Sequence, residues 1–168
     1  MAASTLSRMM MHMHQETSDP TTLACACTTL RKAGRAVGRL YDSTLARTGM
    51  NANQLAILRA LGRNGPLPLS RLAAAMVMDR TSLYRALEPL QRSGWVAIEP
   101  ASTGHVRVAS LTPADARAKD GAASAWEDAQ TRFVGAFGAD GWRDLSDRLL
   151  GLIEVARNLE PTHDGANG

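Results

Sequence analysis

Apolar residues recur at steps of three and four residues through most of the chain, which is typical of amphipathic helices. The first such stretch covers residues 21–48, and Gly49 follows as its expected stop. A second helix then carries Leu55, Ile57, Leu58 and Leu61, with either Asn51 or Asn53 as its N-cap. The apolar spacing in the first half of the chain therefore predicts two helices that pack against each other.

The middle of the chain predicts two short helices and a β-hairpin. The segment RNGPLPL is typical of a turn, and Ser70 then caps a short helix that ends near residue 77. Asp79 caps the next helix, residues 79–93, whose inward face is Leu83, Leu87 and Leu90. Pro89 should kink or weaken that helix near its end, because proline lacks a backbone donor. After Gly94, the runs WVAIE and HVRVASL predict a two-stranded hairpin.

The last third returns to a helical pattern. Thr112 is the expected N-cap and Pro113 lies in the first turn, while a Gly-Ala-Asp-Gly break precedes a final helix from Trp142. The final helix has one apolar stripe, formed by Leu145, Leu149, Leu152, Ile153 and Ala156. Neither terminal helical region has an obvious partner inside a small core of helices and a hairpin. We therefore expect their apolar faces to meet another chain.

Length and composition agree with one mainly α domain. The 168 residues are 45% hydrophobic and 21% charged, which excludes a wholly disordered chain. No apolar run is long enough for a membrane helix, and the N-terminus lacks the apolar core of a signal peptide, so we expect a cytoplasmic protein without a membrane partner. The expected parts are a flexible tail 1–20, a domain 21–160 with terminal helices 21–48 and 113–158 around a central unit 51–111, and a tail 161–168.

The charges are unevenly distributed along the chain. The net charge is only +3, but residues 21–48 hold five basic side chains against one acid, whereas residues 113–160 hold six against nine. Only two of the 19 basic residues are lysine, and arginine is the side chain better suited to forked contacts with phosphate and guanine. A GC-rich coding bias would also enrich arginine. The pattern thus allows a polyanionic partner.

Two helices joined by a tight turn and followed by a β-hairpin have the order of a winged helix-turn-helix. In that arrangement the second helix enters the major groove of DNA and the hairpin reaches the phosphates or the minor groove. The candidate DNA-binding residues are Ser70, Arg80, Thr81, Ser82, Tyr84, Arg85, His105 and Arg107. The simpler alternative is an ordinary solvated helix face.

The chain resembles the MarR-type winged-helix transcriptional regulators over about residues 21–158. The resemblance rests on LYDSTLARTGMNANQLAILRAL, on LSRLAAAMVMDRTSLYRALEPLQRSGWVAIEP and on VASLTPADARAK. It implies a homodimer joined by the terminal helices, which binds a pseudo-palindromic operator, usually as a repressor released by a signal. The Asp-Arg pair common in the wing of this family is replaced by Thr103-Gly104-His105, so His105 or Arg107 would have to substitute.

Two cysteines add a second candidate site. Cys25 and Cys27 lack the four clustered ligands of a zinc site, and residues two apart in a helix point to different faces, which disfavours an internal disulfide. A buried, inert thiol is the simplest interpretation. By resemblance to the hydroperoxide-sensing branch of the family, Cys27 and Tyr41 match a sensor spacing, and Arg31 would favour the thiolate. Neither these thiols nor the Met- and His-rich tail leads us to expect a metal or another cofactor.

Three classes of function remain open at this point. The leading one is a DNA-binding regulator whose signal is thiol oxidation or a small, anionic aromatic molecule. A thiol-dependent peroxidase is the second, although the sequence offers no base or orienting acid near the thiol. The third is a protein-interaction module that retains a winged helix.

Overall fold

The computed structural model describes residues 23–101, 104 and 106–159, except for the side chains of residues 115–120. The chain divides into two units, the first ending at Val37 and the second beginning at Gly38. The helices of the described part are α1 (Ala26–Leu45), α2 (Ala52–Asn64), α3 (Leu69–Met76), α4 (Arg80–Arg92), α5 (Pro113–Phe137) and α6 (Ala139–Leu159). The strands are β1 (Leu67–Pro68), β2 (Val96–Pro100) and β3 (Arg107–Leu111). The mainly helical fold with a small β wing is as predicted.

The boundaries of α1 and α2 follow from local chemistry. Helix α1 begins at Ala26, so the predicted start at residue 21 is wrong; residues 21–22 lie outside the described part. A 3-10 turn and Gly49, at φ +72°, end it as expected. Asn51 caps α2 in a reciprocal capping box with Gln54, which decides between the two predicted asparagines.

The wing is part of a three-stranded antiparallel sheet with the order β1-β3-β2. Strands β2 and β3 form the predicted hairpin, and Val96 pairs with Leu111 at its base. Strand β1 adds two residues from the segment that looked like a turn. Because Pro68 ends β1 and occupies the N-cap position of α3, Ser70 lies inside the first helical turn and does not cap it.

The core is built from leucines and isoleucine that the helical spacing predicted. Its fully buried large side chains are Leu45, Ile57, Leu58, Leu61, Leu72, Leu83, Leu87 and Leu90. Each contributes about 1.5–3 kcal/mol by burial. Helix α4 runs through Pro89 to Arg92, within the predicted 79–93, and the amide of Ser93 bonds to the Pro89 carbonyl; the kink or weakening expected at Pro89 stays a prediction. Proline removes one helical hydrogen bond, and the buried leucines on either side hold the helix together.

The two last helices differ in how much they bury. Helix α5 has buried Ala122 and Ala129, so the expectation that it lacks a partner within the chain is wrong. Thr112 occupies the N-cap position of α5, but its hydroxyl donates to the Gly94 carbonyl instead. Helix α6 buries no side chain completely. It begins at Ala139, right after Gly138, so only one residue of the predicted four-residue break lies outside a helix. Across the described residues, we find no helix with the length and apolar character to cross a membrane.

Candidate nucleic-acid interface

The start of α4 is shaped by its N-cap, Asp79. One carboxylate oxygen accepts the Ser82 amide at 2.8 Å and the other accepts the Ser82 hydroxyl at 2.6 Å. These hydrogen bonds, that from the Ser82 side chain first, lower the pKa of Asp79 below its usual value. The cap is therefore charged at neutral pH, and the hydroxyl proton of Ser82 is already used within the protein.

The exposed face of α4 carries the predicted DNA-reading side chains. Leu83 and Leu87 are anchored in the core, which turns Arg80, Thr81 and Arg85 toward solvent. The guanidinium carbon of Arg80 lies 5.9 Å from the ring centroid of Tyr84, within the range of a cation–π interaction. Two cations and a hydroxyl are thus presented from the first turns of one helix.

A concave surface joins α4 to α3 and the wing. It has a volume of about 280 Å³ and is lined by Leu69, Ser70, Ala73, Arg80, Tyr84, Val106 and Arg107. Four predicted DNA-binding residues therefore meet at one surface, although they come from three elements. Ser70 takes part as a residue of the first turn of α3. The sequence did not single out Val106, which is 45% exposed; a large apolar side chain in the wing was its only signal.

The tip of the wing is closed by backbone hydrogen bonds. The amide of Ala101 donates to the Val106 carbonyl and the amide of Gly104 donates to the Ala101 carbonyl, while Gly104 adopts φ +92°. Only glycine takes this conformation readily. Arg107 is exposed at the start of β3, and its 3.5 Å bond to the Ile98 carbonyl is too long to hold it firmly. His105 lies outside the described residues.

The turn between α3 and α4 has an unusual residue at its centre. Val77 adopts the left-handed conformation, with φ +52°. The amide of Met78 donates to the Ala73 carbonyl at 2.9 Å, and the amide of Val77 donates to the Ala74 carbonyl at 3.3 Å. This is the Schellman pattern of helix ends, in which glycine usually takes the central position.

A second cavity, of about 360 Å³, lies between α2 and α5. Its lining includes Tyr41, Arg59, Arg63 and Trp126. The guanidinium carbon of Arg59 is 3.7 Å from the ring centroid of Trp126, and the Tyr41 hydroxyl donates to Gln130 of α5. Partial burial raises the pKa of Tyr41, so its phenol stays neutral. The cavity thus combines an aromatic wall with two cationic side chains.

Both cysteines are exposed free thiols, which contradicts the interpretation of a buried, inert one. Cys25 precedes α1, and its carbonyl accepts the Thr29 amide, so it holds the N-cap position. Hydrogen bonds from the backbone and then the side chain of Thr28 lower the pKa of the Cys25 thiol. The helical argument against a Cys25 to Cys27 disulfide fails, because Cys25 is not helical.

Metal ligands are not clustered in the part of the chain that the structure describes: no group of three or more His, Cys, Asp or Glu side chains could hold an ion there. The Met- and His-rich run of the predicted tail lies outside that part.

Comparisons with known proteins point in one direction. The model of the MarR family matches residues 48–105. The solved transcriptional regulator MosR of M. tuberculosis, in complex with DNA, has 27% identity and a TM-score of 0.75, over 82% of this chain and 99% of that one. A second solved structure of M. tuberculosis MosR has 29% identity and a TM-score of 0.70, over 80% of this chain and 96% of that one. No curated protein matches the chain.

A more distant structure shares the fold. A mutant MarR from E. coli complexed with operator DNA has 19% identity and a TM-score of 0.66, over 74% of this chain and 91% of that one. The matched family and the solved relatives are transcriptional regulators and not enzymes, which removes the peroxidase alternative. The winged helix-turn-helix around α4, the family match and the MosR structures lead to one assignment: the part of the chain that holds the helix-turn-helix and the wing, residues 48–105, belongs to the MarR family of DNA-binding transcriptional regulators.

Proposed function

We propose that the protein is a dimeric repressor that binds a pseudo-palindromic duplex operator and is released by a chemical signal. The observation that carries the proposal is the concave surface that brings together Ser70, Arg80, Tyr84 and Arg107. MosR, the solved relative with the same fold, was crystallised in complex with DNA. Such a regulator acts where the operator is, which agrees with the expected cytoplasmic location.

Each element has a separate task on the DNA. The first turns of α4 enter the major groove, where Arg80, Thr81 and Arg85 reach base edges; a forked arginine is suited to guanine. Ser70 and Tyr84 contact phosphates, which fix the register but carry no sequence information. Arg107, with His105 if it reaches the DNA, takes the place of the family's wing arginine. Because the wing retains only this one arginine, we expect most of the affinity to come from α4.

The homodimer is proposed from the open faces of the last two helices. Helix α6 leaves Leu150, Val155 and Leu159 between 59% and 77% exposed, a large apolar surface for a lone chain. A groove of about 640 Å³ between α5 and α6 includes Trp142 and Asp147 in its lining. The basic residues of α1 complement Asp147 in the lining of this groove, so α1 of a second copy is the proposed occupant. Two reading surfaces then address half-sites about one DNA turn apart.

The proposal is tested by selecting duplexes from a random pool and measuring the affinity for the enriched sequence by fluorescence anisotropy. We expect one palindromic motif, with an affinity that falls steeply between about 50 and 200 mM salt. Arg80→Ala should lower the affinity by about five- to one-hundredfold. The matched control is Arg92→Ala, at the other end of α4, where the side chain is exposed and pairs with Glu88. No enrichment, or an affinity independent of salt, would favour the protein-interaction module.

A small anionic aromatic molecule is the first candidate signal. The cavity beside Trp126 offers a ring face for stacking, and Arg59 and Arg63 offer charges for a carboxylate. Benzoate is a suitable probe because it has both features and nothing else. We expect benzoate to release the operator complex and Arg59→Gln to weaken that response, whereas Arg47→Gln, exposed on the 3-10 turn, should leave it unchanged. Release that is equal in both variants contradicts this assignment.

Oxidation of the thiols is the second candidate signal, favoured by the exposure of both cysteines and the lowered pKa of Cys25. The thiolate attacks one oxygen of an organic hydroperoxide, the O–O bond breaks, and an alcohol leaves as the sulfur becomes a sulfenic acid. A second thiol, on the same chain or its partner, then displaces water and forms a disulfide. We expect hydroperoxide to release the operator, and Cys25→Ser and Cys27→Ser each to change that response. Unaltered release by both variants refutes the thiol model.

A further inference from the structure

One long-range hydrogen bond links the last helix to the helix-turn-helix. The guanidinium of Arg157, in the last turn of α6, donates to the Ala74 carbonyl of α3 at 2.6 Å. The two residues are 83 positions apart in the sequence. The proposed reading surface does not include Arg157, so this contact has no role in the DNA contacts assigned above.

The carbonyl that Arg157 binds belongs to the turn at Val77 that ends α3. Ala74 accepts the amide of Val77 at 3.3 Å, which is a long hydrogen bond, and the same amide is shared with the Ala73 carbonyl. Val77 is β-branched and left-handed, a conformation that L-residues adopt at a cost. The last carbonyls of a helix also lack helical partners and carry partial negative charge, so a cation there is favourable. Arg157 therefore places a positive charge and a hydrogen-bond donor at the carbonyl end of α3.

We propose that Arg157 is a positioning residue for operator binding: by holding the Ala74 carbonyl, it fixes the turn at Val77 and hence the direction of α4. This inference rests on the proposed DNA-binding function. Asp79 follows the turn directly and starts α4, so a change in the turn is passed to Arg80 and the rest of the reading face. Since α6 also exposes the apolar face proposed for the dimer, the same contact connects the dimer helix to the DNA-reading helix.

The test compares full-length variants on the selected operator duplex by fluorescence anisotropy over a range of salt concentrations, after circular dichroism has shown that they are folded. We expect Arg157→Ala to lower the affinity about three- to tenfold, because a charged hydrogen bond is lost. The slope of log affinity against log salt should stay unchanged, since no phosphate contact is removed. Arg157→Lys, which keeps the charge and a donor, should recover most of the affinity. The control Arg148→Ala removes an exposed arginine of α6 that pairs with Asp144 and lies outside the lining of the proposed dimer groove, and it should have no effect.

Two outcomes of this titration would overturn the proposal. An unchanged affinity of Arg157→Ala means that the contact does not position α4. A salt slope smaller by about one means that Arg157 touches a phosphate itself.

Amide hydrogen exchange gives a readout that does not need DNA. In Arg157→Ala, the amides of Val77 and Met78 should exchange several-fold faster, and equal exchange overturns the proposal. In the Val77→Gly background, where the turn is relaxed, the same substitution should reduce operator affinity less; an equal loss in both backgrounds counts against action through the turn. If the wild-type protein bound no duplex at all, the proposed function would fail, whereas the exchange of Val77 and Met78 would still decide the role of Arg157.

Discussion

The left-handed Val77 gives a stability prediction with an unusual sign. In an ordinary helix, replacing Ala by Gly costs about 1 kcal/mol. At Val77, with φ +52°, any residue other than glycine carries a conformational penalty of about 1–2 kcal/mol. Glycine avoids that penalty but loses about 0.5–1 kcal/mol through the entropy of its unfolded chain. Val77→Gly should therefore be more stable than Val77→Ala by about 0.5–1 kcal/mol.

The comparison of Gly with Ala isolates the backbone term. Both substitutions remove the valine side chain, which is 57% exposed, so the loss of its contacts cancels. Thermal unfolding at one fixed protein concentration should give a Tm higher by about 1–4 °C for the glycine variant. The control is Ala75→Gly, at an exposed helical position two residues earlier, which should lower the Tm. A Val77→Ala variant as stable as Val77→Gly would refute the reasoning, because it would mean that Val77 carries no left-handed strain.

Three further predictions concern the core, the dimer and the cap. Leu87→Ala should lower the free energy of unfolding by about 2–5 kcal/mol in urea denaturation, because Leu87 is 0% exposed. The control Glu88→Ala, on the exposed side of the same helix, should change that free energy little. A small loss for Leu87→Ala would contradict the assigned core. Val155→Asp should convert the proposed dimer to monomer in sedimentation equilibrium without unfolding the chain, and a dimer that persists would place the interface elsewhere. Asp79 has a lowered pKa, so its cap stabilises the fold above the ordinary carboxyl pKa and loses that contribution as pH falls through the lower, folded value. The amide shift of Ser82 in NMR should titrate with a midpoint below 3.8, and a midpoint above it would show that the cap is not formed.

Much of the fold follows from spacing alone. The steps between Leu83, Leu87 and Leu90 fix which side of α4 is buried, and hence which side faces solvent. Asp79 is predictable as a cap because its carboxylate matches the free amides of a helix start. The sequence therefore predicts which side chains of α4 and the wing are exposed, and these form most of the proposed DNA-reading surface.

The remaining features depend on contacts distant in the sequence. Strand β1 exists because Leu67 and Pro68 pair with Ala109 and Val108, which nothing near Pro68 reveals, and this pairing moves the start of α3 ahead of Ser70. The contact of Arg157 with the Ala74 carbonyl is equally hidden, since a lone arginine near the end of an amphipathic helix resembles any solvated side chain. Both features depend on residues that are distant in the sequence, and the local pattern of apolar and polar residues carries no information about such contacts.

The cap at Asp79 has a consequence for the search along DNA. If α4 enters the major groove as proposed, a full negative charge lies at its leading end, close to the phosphates. A protein on unrelated DNA is held by phosphate attraction alone, so repulsion from Asp79 removes part of the one attraction that this complex has. On the operator, base contacts by Arg80 and Arg85 make up the difference. The residue that starts the helix would thereby shorten the time spent at wrong sequences, while the ratio of specific to non-specific binding is left to the base contacts of Arg80 and Arg85.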